Sequence, residues 1–421
     1  MPPWRHSPKS RQRQRQGRNT TDPWYISRVR LVLAIVAMVV SLAGCSSQTP
    51  AGTPAPTPTK APPGAFDRFY GSYRTDAGDV LVVTRLGWFA DLGDSTYRTL
   101  YAYGSSGHLS IGPGFQTPTP AVAKLDFAPG RLVVTRARTT TKARRLQLKT
   151  SDVTIPAAGA TLAGTITEPL GAGIHPGIVI VHGSEPGQRF YYDFWVGLYT
   201  SLGLTVLTYD KRGNGASTGR YPGEYPSEEA LTTYADDASA ALALLKGWAG
   251  VDPSRVGFHG GSQGGWTVPL AIARHGQAAF AILVSAPAVT VGQQGVWSDF
   301  SGGGTRLPTQ SADEMNAAVR ADHTGYDPAP AIASLTVPVL WLLGRNDRTV
   351  PTAVCVENLN ALHKANFNIQ LVTSGHGLLL NNTGLNADDA TAPGLAPGVI
   401  SPIADSTRQF LSSPPVMSST K

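Results

Sequence analysis

The sequence contains little cysteine: its 421 residues include only Cys45 and Cys355. Two cysteines form one bridge at most, which excludes a disulfide framework as the basis of the fold. The nine histidines show no spacing typical of a metal site, and we expect neither a metal nor another cofactor. Only 15% of the residues are charged while 41% are apolar, a balance typical of a globular chain rather than a disordered one.

An excess of charge of one sign is also absent once the first 44 residues are set aside. The formal charge of +7 arises from residues 1–44, which hold eight basic residues and one acidic residue. The remaining sequence has 27 basic and 27 acidic residues. Without a basic bias the chain offers no electrostatic support for a nucleic-acid partner, and we expect none.

The apolar run near the start is too short to span a membrane. From Leu31 to Ala43 it has 13 residues, against the ~20 that a spanning helix needs. Eight basic residues precede it, so residues 1–44 are predicted to be an export signal. The run ends Leu42-Ala43-Gly44-Cys45 and resembles the lipobox of bacterial lipoproteins. That resemblance implies a lipid on Cys45 and a protein anchored to the extracytoplasmic face of the cell membrane; a plain secretory signal or an uncleaved anchor is the alternative.

Two further segments precede the main domain. Residues 45–65 form a Pro/Thr-rich stretch with six prolines and no aromatic residue, which predicts an extended linker. Residues 66–150 show short alternating runs separated by glycine, with a hairpin turn at Pro129-Gly130, and predict a β-rich accessory domain. This region has no cluster of acids, histidine or cysteine, so we expect it to pack beside the second domain or to shape access to it.

From residue 151 to residue 421, apolar strands alternate with helical stretches. This pattern predicts an α/β domain with a mostly parallel, doubly wound sheet, whose active site lies at the carboxyl ends of the strands. The predicted strands are 151–156, 161–168, 177–182, 204–209, 255–259, 279–286, 337–343 and 368–374. The predicted helices lie near 189–202, 227–247, 263–275, 312–323, 351–364 and 400–412.

A long insertion at about 287–335 interrupts this alternation. It is polar and rich in glycine, and Ser311 and Glu314 have the spacing of a capping box that begins a helix. Loops of this length in compact domains commonly have a function, which favours a mobile cap over the active site. A plain surface excursion is the alternative.

A G-x-S-x-G motif follows the predicted strand 255–259 directly. Its serine is Ser262, with Gly260 and Gly264 on either side. A serine on a tight turn between strand and helix needs glycine neighbours, because side chains there would clash where the two elements approach. The turn presents the Ser262 hydroxyl as a nucleophile and the Gln263 amide as an oxyanion donor. A purely structural glycine turn is the alternative.

Two partners for the serine follow in chain order. Asp347 comes after the predicted strand 337–343, and His376 comes after strand 368–374. A neutral hydroxyl needs a base within hydrogen-bonding distance, and the imidazole needs an acid that fixes its tautomer. We therefore predict that Ser262, His376 and Asp347 meet at the carboxyl edge of the sheet.

Other polar positions have more limited expected roles. The predicted strand 177–182 ends in His182-Gly183-Ser184, whose loop would supply a second oxyanion donor from the Ser184 amide. His259, on the strand before the serine, is expected to be buried rather than catalytic. The segment 209–217 is interpreted mainly as a structured turn.

Residues from about 151 to 415 resemble an α/β-hydrolase of the serine esterase and serine aminopeptidase-like group. The resemblance rests on LAGTITEP, HGSEPGQR, YDKRGNGAS, HGGSQGGWTVPLA, GRNDRTVP and SGHG, in that order. It implies the α/β-hydrolase fold and a triad of Ser262, Asp347 and His376. One departure concerns the oxyanion loop, where relatives commonly carry glycine in place of Glu185.

Together with the lipobox-like sequence, this resemblance favours a surface-anchored serine hydrolase that cleaves small-molecule carboxylic esters through an acyl-enzyme. The alternatives are a serine peptidase or amidase of the prolyl-oligopeptidase-like type, or an inactive hydrolase fold used as an envelope binding protein. The sequence carries no signal for an oligomeric state.

Overall fold

A computed structural model describes residues 59–60, 64–102, 107–223, 226–276 and 278–412, which belong to one compact unit. The predicted export signal, Cys45 and most of the predicted linker lie outside the described residues. None of the helices in the described ranges is long and apolar enough to cross a membrane.

The amino-terminal region forms a ten-stranded sheet in which every pair is antiparallel. Its strands are β1 (Thr59–Lys60), β2 (Gly71–Thr75), β3 (Val80–Val83), β4 (Trp88–Asp91), β5 (Thr96–Thr99), β6 (Tyr101–Ala102), β7 (His108–Ile111), β8 (Ala123–Ala128), β9 (Arg131–Arg136) and β10 (Thr139–Arg145). They lie in the order β1-β6-β7-β8-β9-β10-β2-β3-β4-β5. The hairpin β8–β9 turns at Pro129-Gly130, as the sequence predicted, and Gly130 has a φ of +68° that favours glycine.

The second sheet has eight strands, one for each strand predicted from the sequence. They are β11 (Lys149–Ala157), β12 (Ala160–Glu168), β13 (His175–Val181), β14 (Thr205–Tyr209), β15 (Val251–Gly261), β16 (Ala281–Val284), β17 (Val339–Gly344) and β18 (Phe367–Val372). Their order is β11-β12-β14-β13-β15-β16-β17-β18. β12 pairs antiparallel with both β11 and β14, whereas β14, β13, β15, β16, β17 and β18 pair in parallel, as expected of a mostly parallel sheet.

Nine α-helices and one short 3₁₀ helix, Arg189–Tyr192, are found among the described residues. The α-helices are α1 (Asp193–Ser201), α2 (Glu228–Lys246), α3 (Gly264–His275), α4 (Val291–Ser301), α5 (Ala312–Ala321), α6 (Ala329–Ser334), α7 (Thr352–Ala361), α8 (Asn386–Asp389) and α9 (Ile400–Ser412). The insertion at 287–335 therefore contains three helices, of which the sequence analysis predicted only α5. That helix begins at the predicted capping box of Ser311 and Glu314.

Helices cover both faces of the parallel sheet because its strands alternate buried apolar side chains between two cores. In β13, Val179 and Val181 pack with the core that includes α2, α3 and α7. Ile178 and Ile180 point the other way, into a core with α1 and α9. Burial on both faces explains the near-continuous apolar sequence of this strand.

The ten-stranded sheet contributes to the second of these cores. In β3, Leu81 and Val83 lie in a core made only of residues from the amino-terminal region, whereas Val82 packs on α1. Contact with α1 is close, because a Cβ atom added to Gly197 would lie 2.5 Å from Val82 Cγ2. The two sheets therefore share apolar packing through α1.

An ion pair with a buried carboxylate strengthens the same junction. The Arg85 side chain binds both carboxylate oxygens of Asp193, at 3.0 Å and 2.6 Å, and its backbone amide donates to the same carboxylate at 2.8 Å. Asp193 is the first residue of α1, where its negative charge also interacts favourably with the helix dipole. The junction thus holds the amino-terminal end of α1.

Candidate active site

Ser262 lies on a sharp turn between β15 and α3. It has a φ of +50°, which is rare for a residue with a side chain. The flanking Gly260 permits this turn, because a Cβ atom there would lie 2.9 Å from Val268 Cγ2, and the next glycine after the motif, Gly265, is packed closely as well, because a Cβ atom there would lie 2.5 Å from Ala286 Cβ. Glycine at these positions lets strand and helix approach closely enough to present Ser262 at the sheet edge.

The structure brings Ser262, His376 and Asp347 together by hydrogen bonds. His376 Nε2 lies 3.0 Å from Ser262 Oγ, and His376 Nδ1 lies 2.8 Å from Asp347 Oδ2. Asp347 follows β17 and His376 follows β18, so neighbouring parallel strands deliver both side chains to one edge. In this arrangement the imidazole can accept the serine proton while the carboxylate fixes its tautomer.

Backbone amides hold the Asp347 carboxylate in place. Its Oδ1 accepts from the amides of Thr349 at 2.7 Å and Val350 at 2.8 Å, which leaves Oδ2 directed at His376. Asp347 is only 2% exposed, whereas Ser262 and His376 are half-buried and face solvent on one side. The acid is thus shielded while the nucleophile and the base remain accessible.

The surroundings of His376 favour its protonated form. Burial lowers the pKa of His376, but the Asp347 carboxylate, with smaller contributions from Asp389 and Glu185, raises it above its ordinary value. The Ser285 hydroxyl donates to the His376 carbonyl at 2.8 Å and positions the loop. A base whose pKa is raised accepts the serine proton more readily, at the cost of being protonated over a wider pH range.

Asp389 is a second carboxylate beside the histidine. It belongs to α8, and its Oδ1 accepts from Asn381 Nδ2 at 2.7 Å. Burial raises the pKa of Asp389, while Asn381 and His376 lower it by smaller amounts. Sequence analysis missed this residue because no motif surrounds it and only the folded loop brings it near His376.

The two predicted oxyanion donors belong to different segments of the chain. Gln263 is buried at the amino-terminal end of α3, and Ser184 is exposed in the loop after β13. That loop touches the nucleophile, because a Cβ atom on Gly183 would lie 3.6 Å from Ser262 Cβ. The predicted donors therefore come from segments that both border the serine.

Glu185 places a carboxylate in the same loop. Its Oε1 accepts from the Tyr192 hydroxyl and lies 3.6 Å from His182 Nδ1. Burial raises the pKa of Glu185, but His182, Tyr192 and the Lys211 ammonium together lower it by more. The resulting pKa is about 2. The carboxylate is therefore ionised near neutral pH, and these neighbours fix its orientation.

The remaining expectations concern buried polar groups. His259 is buried, and its Nδ1 lies 2.9 Å from the Tyr199 hydroxyl. Burial lowers the pKa of His259 to about 3, so it is neutral and structural, as expected. The segment 209–217 forms the predicted structured turn, in which Asp210 accepts from the Ala216 amide at 2.9 Å.

Helix α4 packs against the loop that carries the acid. The Trp297 indole nitrogen donates to the Asp347 carbonyl at 3.1 Å, and Ser301 Oγ donates to the Arg348 carbonyl at 2.9 Å. The start of α4 has a capping box between Thr290 and Gln293, a pattern that marks a helix start in the sequence. The insertion therefore supports the Asp347 loop, and its role as a mobile cap stays a prediction.

Within the described ranges, no group of three or more His, Cys, Asp and Glu side chains is arranged to hold a metal ion.

Comparison with known proteins adds a family match. The prolyl oligopeptidase family matches residues 190–388, a range that contains Ser262, Asp347 and His376. The uncharacterized protein Rv2307c of Mycobacterium tuberculosis is 30% identical over 201 residues, which are 47% of this chain and 61% of that protein. The chain thus spans less than two thirds of the length of the curated relatives it matches.

Solved structures similar to this chain include two hydrolases. Esterase Pf2001 of Pyrococcus furiosus is 17% identical, covers 62% of this chain and 93% of its own, and has a TM-score of 0.44. A puromycin hydrolase mutant is 16% identical, covers 80% of this chain and 51% of its own, and has a TM-score of 0.45.

The family match supports a serine hydrolase of the α/β-hydrolase superfamily, in agreement with the strand order and the turn that carries Ser262.

Proposed function

We propose that the protein is a serine hydrolase that cleaves carboxylic esters through an acyl-enzyme. The observation that carries this proposal is the hydrogen-bonded chain from Ser262 Oγ through His376 to Asp347. His376 Nε2 takes the serine proton as Oγ attacks the ester carbonyl, and backbone amides of Gln263 and Ser184 stabilise the oxyanion. The protonated imidazole then gives its proton to the leaving alcohol, and water attacks the acyl-enzyme by the same route in reverse.

Esters are favoured over amides for a chemical reason. An alkoxide or phenoxide leaves more easily than an amine, which must be protonated in a well-aligned geometry before the bond breaks. We expect short- to medium-chain esters to be hydrolysed with a kcat/KM at least ~100-fold above that for aminoacyl or prolyl amides of comparable leaving group.

A panel of substrates tests this expectation on the purified protein. It consists of p-nitrophenyl esters of graded chain length beside p-nitroanilides of amino acids and of proline-containing peptides. Comparable kcat/KM values for anilides and esters would contradict the ester assignment.

A peptidase is the second candidate, and the match to the prolyl oligopeptidase family favours it. The same three side chains serve amide hydrolysis once the substrate is held in register. If the anilides are the better substrates, this candidate replaces the first. If neither class turns over and no phosphonate probe reacts, the fold acts as a binding module.

We also propose that the protein is held on the extracytoplasmic face of the cell membrane by a lipid on Cys45. The support is the sequence Leu42-Ala43-Gly44-Cys45 after a short apolar run. Metabolic labelling with palmitate tests this, with Cys355→Ser as the matched control. Label that persists in Cys45→Ser would contradict the anchor.

A further inference from the structure

Lys211 is a buried cation directly behind the candidate site. It follows β14 and is 2% exposed, and its Nζ lies 4.2 Å from the centre of the Tyr234 ring. Removing an ammonium group from water is costly, so a lysine is retained in such a place only where its contacts compensate. The contacts of Lys211 therefore show which groups compensate for its burial.

Three of those contacts reach the segments that flank the nucleophile. Lys211 Nζ donates to the Gly183 carbonyl at 2.7 Å and to the Glu185 carbonyl at 3.3 Å, both in the loop after β13. It also donates to the side-chain Oε1 of Gln263 at 3.0 Å. One ammonium group thus joins the loop of one proposed oxyanion donor to the residue that supplies the other.

The contact with Gly183 bears directly on the orientation of a donor. The Gly183 carbonyl and the Ser184 N–H belong to the same planar peptide unit, in which they point in opposite directions. Fixing the carbonyl toward Lys211 therefore fixes the direction of the Ser184 N–H on the other side. An ammonium donor also polarises the peptide, which makes its N–H a stronger donor.

We propose that Lys211 is a positioning residue that sets the geometry and the potential of the oxyanion hole. This inference rests on the proposed serine hydrolase mechanism. Lys211 touches neither substrate nor reacting atoms; it holds both donor segments and places a positive charge behind the developing oxyanion. The same charge offsets the Glu185 carboxylate, which would otherwise disfavour an anion in this loop.

The test compares Lys211→Met, which keeps the length of the side chain without donors or charge, with Lys211→Arg and with wild type. Lys142→Met is the matched control, because Lys142 is exposed on β10. The measurements are kcat and KM for the best ester, and the inhibition constants of a trifluoromethyl ketone and of the unreactive ether analogue of that ester. The ketone forms an oxyanion on the serine, whereas the ether does not.

In Lys211→Met we expect kcat to fall about 10²- to 10³-fold with KM little changed, as for loss of an oxyanion donor. Affinity for the ketone should fall by a similar factor while affinity for the ether stays constant. Lys211→Arg should recover part of both losses, and Lys142→Met should match wild type.

Two results would overturn the inference. One is a kcat in Lys211→Met within threefold of wild type. The other is an equal loss of affinity for the ketone and the ether, which marks a general structural role. If Lys211→Met does not fold, the affinities of Lys211→Gln and Lys211→Arg for the ketone and for the ether test the inference in its place.

The rate of labelling by a fluorophosphonate separates this inference from the proposed function. Phosphonylation also develops a negative oxygen in the oxyanion hole, so it reports on Lys211 whatever the natural substrate is. Wild type that reacts with neither esters nor the probe contradicts the proposed mechanism. Wild type that reacts normally beside an equally reactive Lys211→Met contradicts the positioning role alone.

Discussion

The two sheets use polar side chains in different ways. In the parallel sheet, chemically active groups come from loops after separate strands and meet at one edge, as Ser262, Asp347 and His376 do. In the antiparallel region, Arg85 in the turn after β3 instead pairs with the buried Asp193 carboxylate of the other region. The parallel sheet therefore concentrates reactive groups, and the antiparallel sheet contributes support.

The antiparallel region also contacts the part of the site that surrounds His376. The Phe115 amide of the antiparallel region donates to the Ala392 carbonyl at 2.9 Å, and the Leu395 amide donates to the Ser95 carbonyl at 3.1 Å. These bonds hold the segment that follows Asp389, whose carboxylate helps to raise the pKa of His376. The supporting region thus reaches the surroundings of the base.

The largest effect is expected from Asp347→Asn in the parallel sheet. The amide oxygen can still accept from Thr349 and Val350, but its NH₂ then faces His376 Nδ1 and favours the tautomer that cannot accept the serine proton. We expect kcat to fall about 10⁴-fold with the melting temperature nearly unchanged. Near-normal turnover would mean that another acid supports His376.

A smaller effect, on stability rather than chemistry, is expected from Arg85→Ala. The substitution leaves the Asp193 carboxylate buried without its main partner, which should cost about 2 to 3 kcal/mol in the free energy of unfolding. Activity per folded molecule should stay constant. Chemical denaturation measures the loss, with the exposed Arg131→Ala as control, and Asp193→Asn should recover part of it in the double variant. A lower kcat with unchanged stability in Arg85→Ala would contradict a purely supporting role for the antiparallel region.

The smallest effect is expected from Asp389→Asn, as a shift in the pH dependence. The Asp389 carboxylate contributes to the raised pKa of His376, and the base is active only when neutral. Its removal should lower the His376 pKa, so the acid limb of the kcat/KM profile should move to lower pH, and the shift should be small because solvent screens the interaction. Asp313→Asn on α5 should leave the profile unchanged, and a shift to higher pH would contradict the assignment.

The sequence predicted well what depends on local pattern. All eight strands of the parallel sheet were recognisable from their apolar runs, and chain order placed Asp347 and His376 after neighbouring strands. The catalytic roles of the three residues stay predictions, although the structure places them within hydrogen-bonding distance.

Features that depend on burial were not predictable from local pattern. Lys211 lies in a turn whose sequence favours solvent exposure, and nothing nearby signals that its ammonium group is enclosed. Helix α4 was missed because its glycines weaken the helical pattern, although the Thr290 capping box was visible. Two partners of Glu185, Tyr192 and Lys211, come from a later helical turn and from the segment after a neighbouring strand, so the local pattern does not show that they meet Glu185.

Labelling of the full chain with a fluorophosphonate, followed by tryptic digestion and mass spectrometry, tests most directly whether Ser262 is the nucleophile. Cleavage after Arg255 and Arg274 releases the peptide 256–274, in which Ser262 is the only serine. We predict the adduct on Ser262 in wild type and no adduct in a folded Ser262→Ala variant. An adduct on another residue, or labelling that persists in Ser262→Ala, would contradict the proposed mechanism.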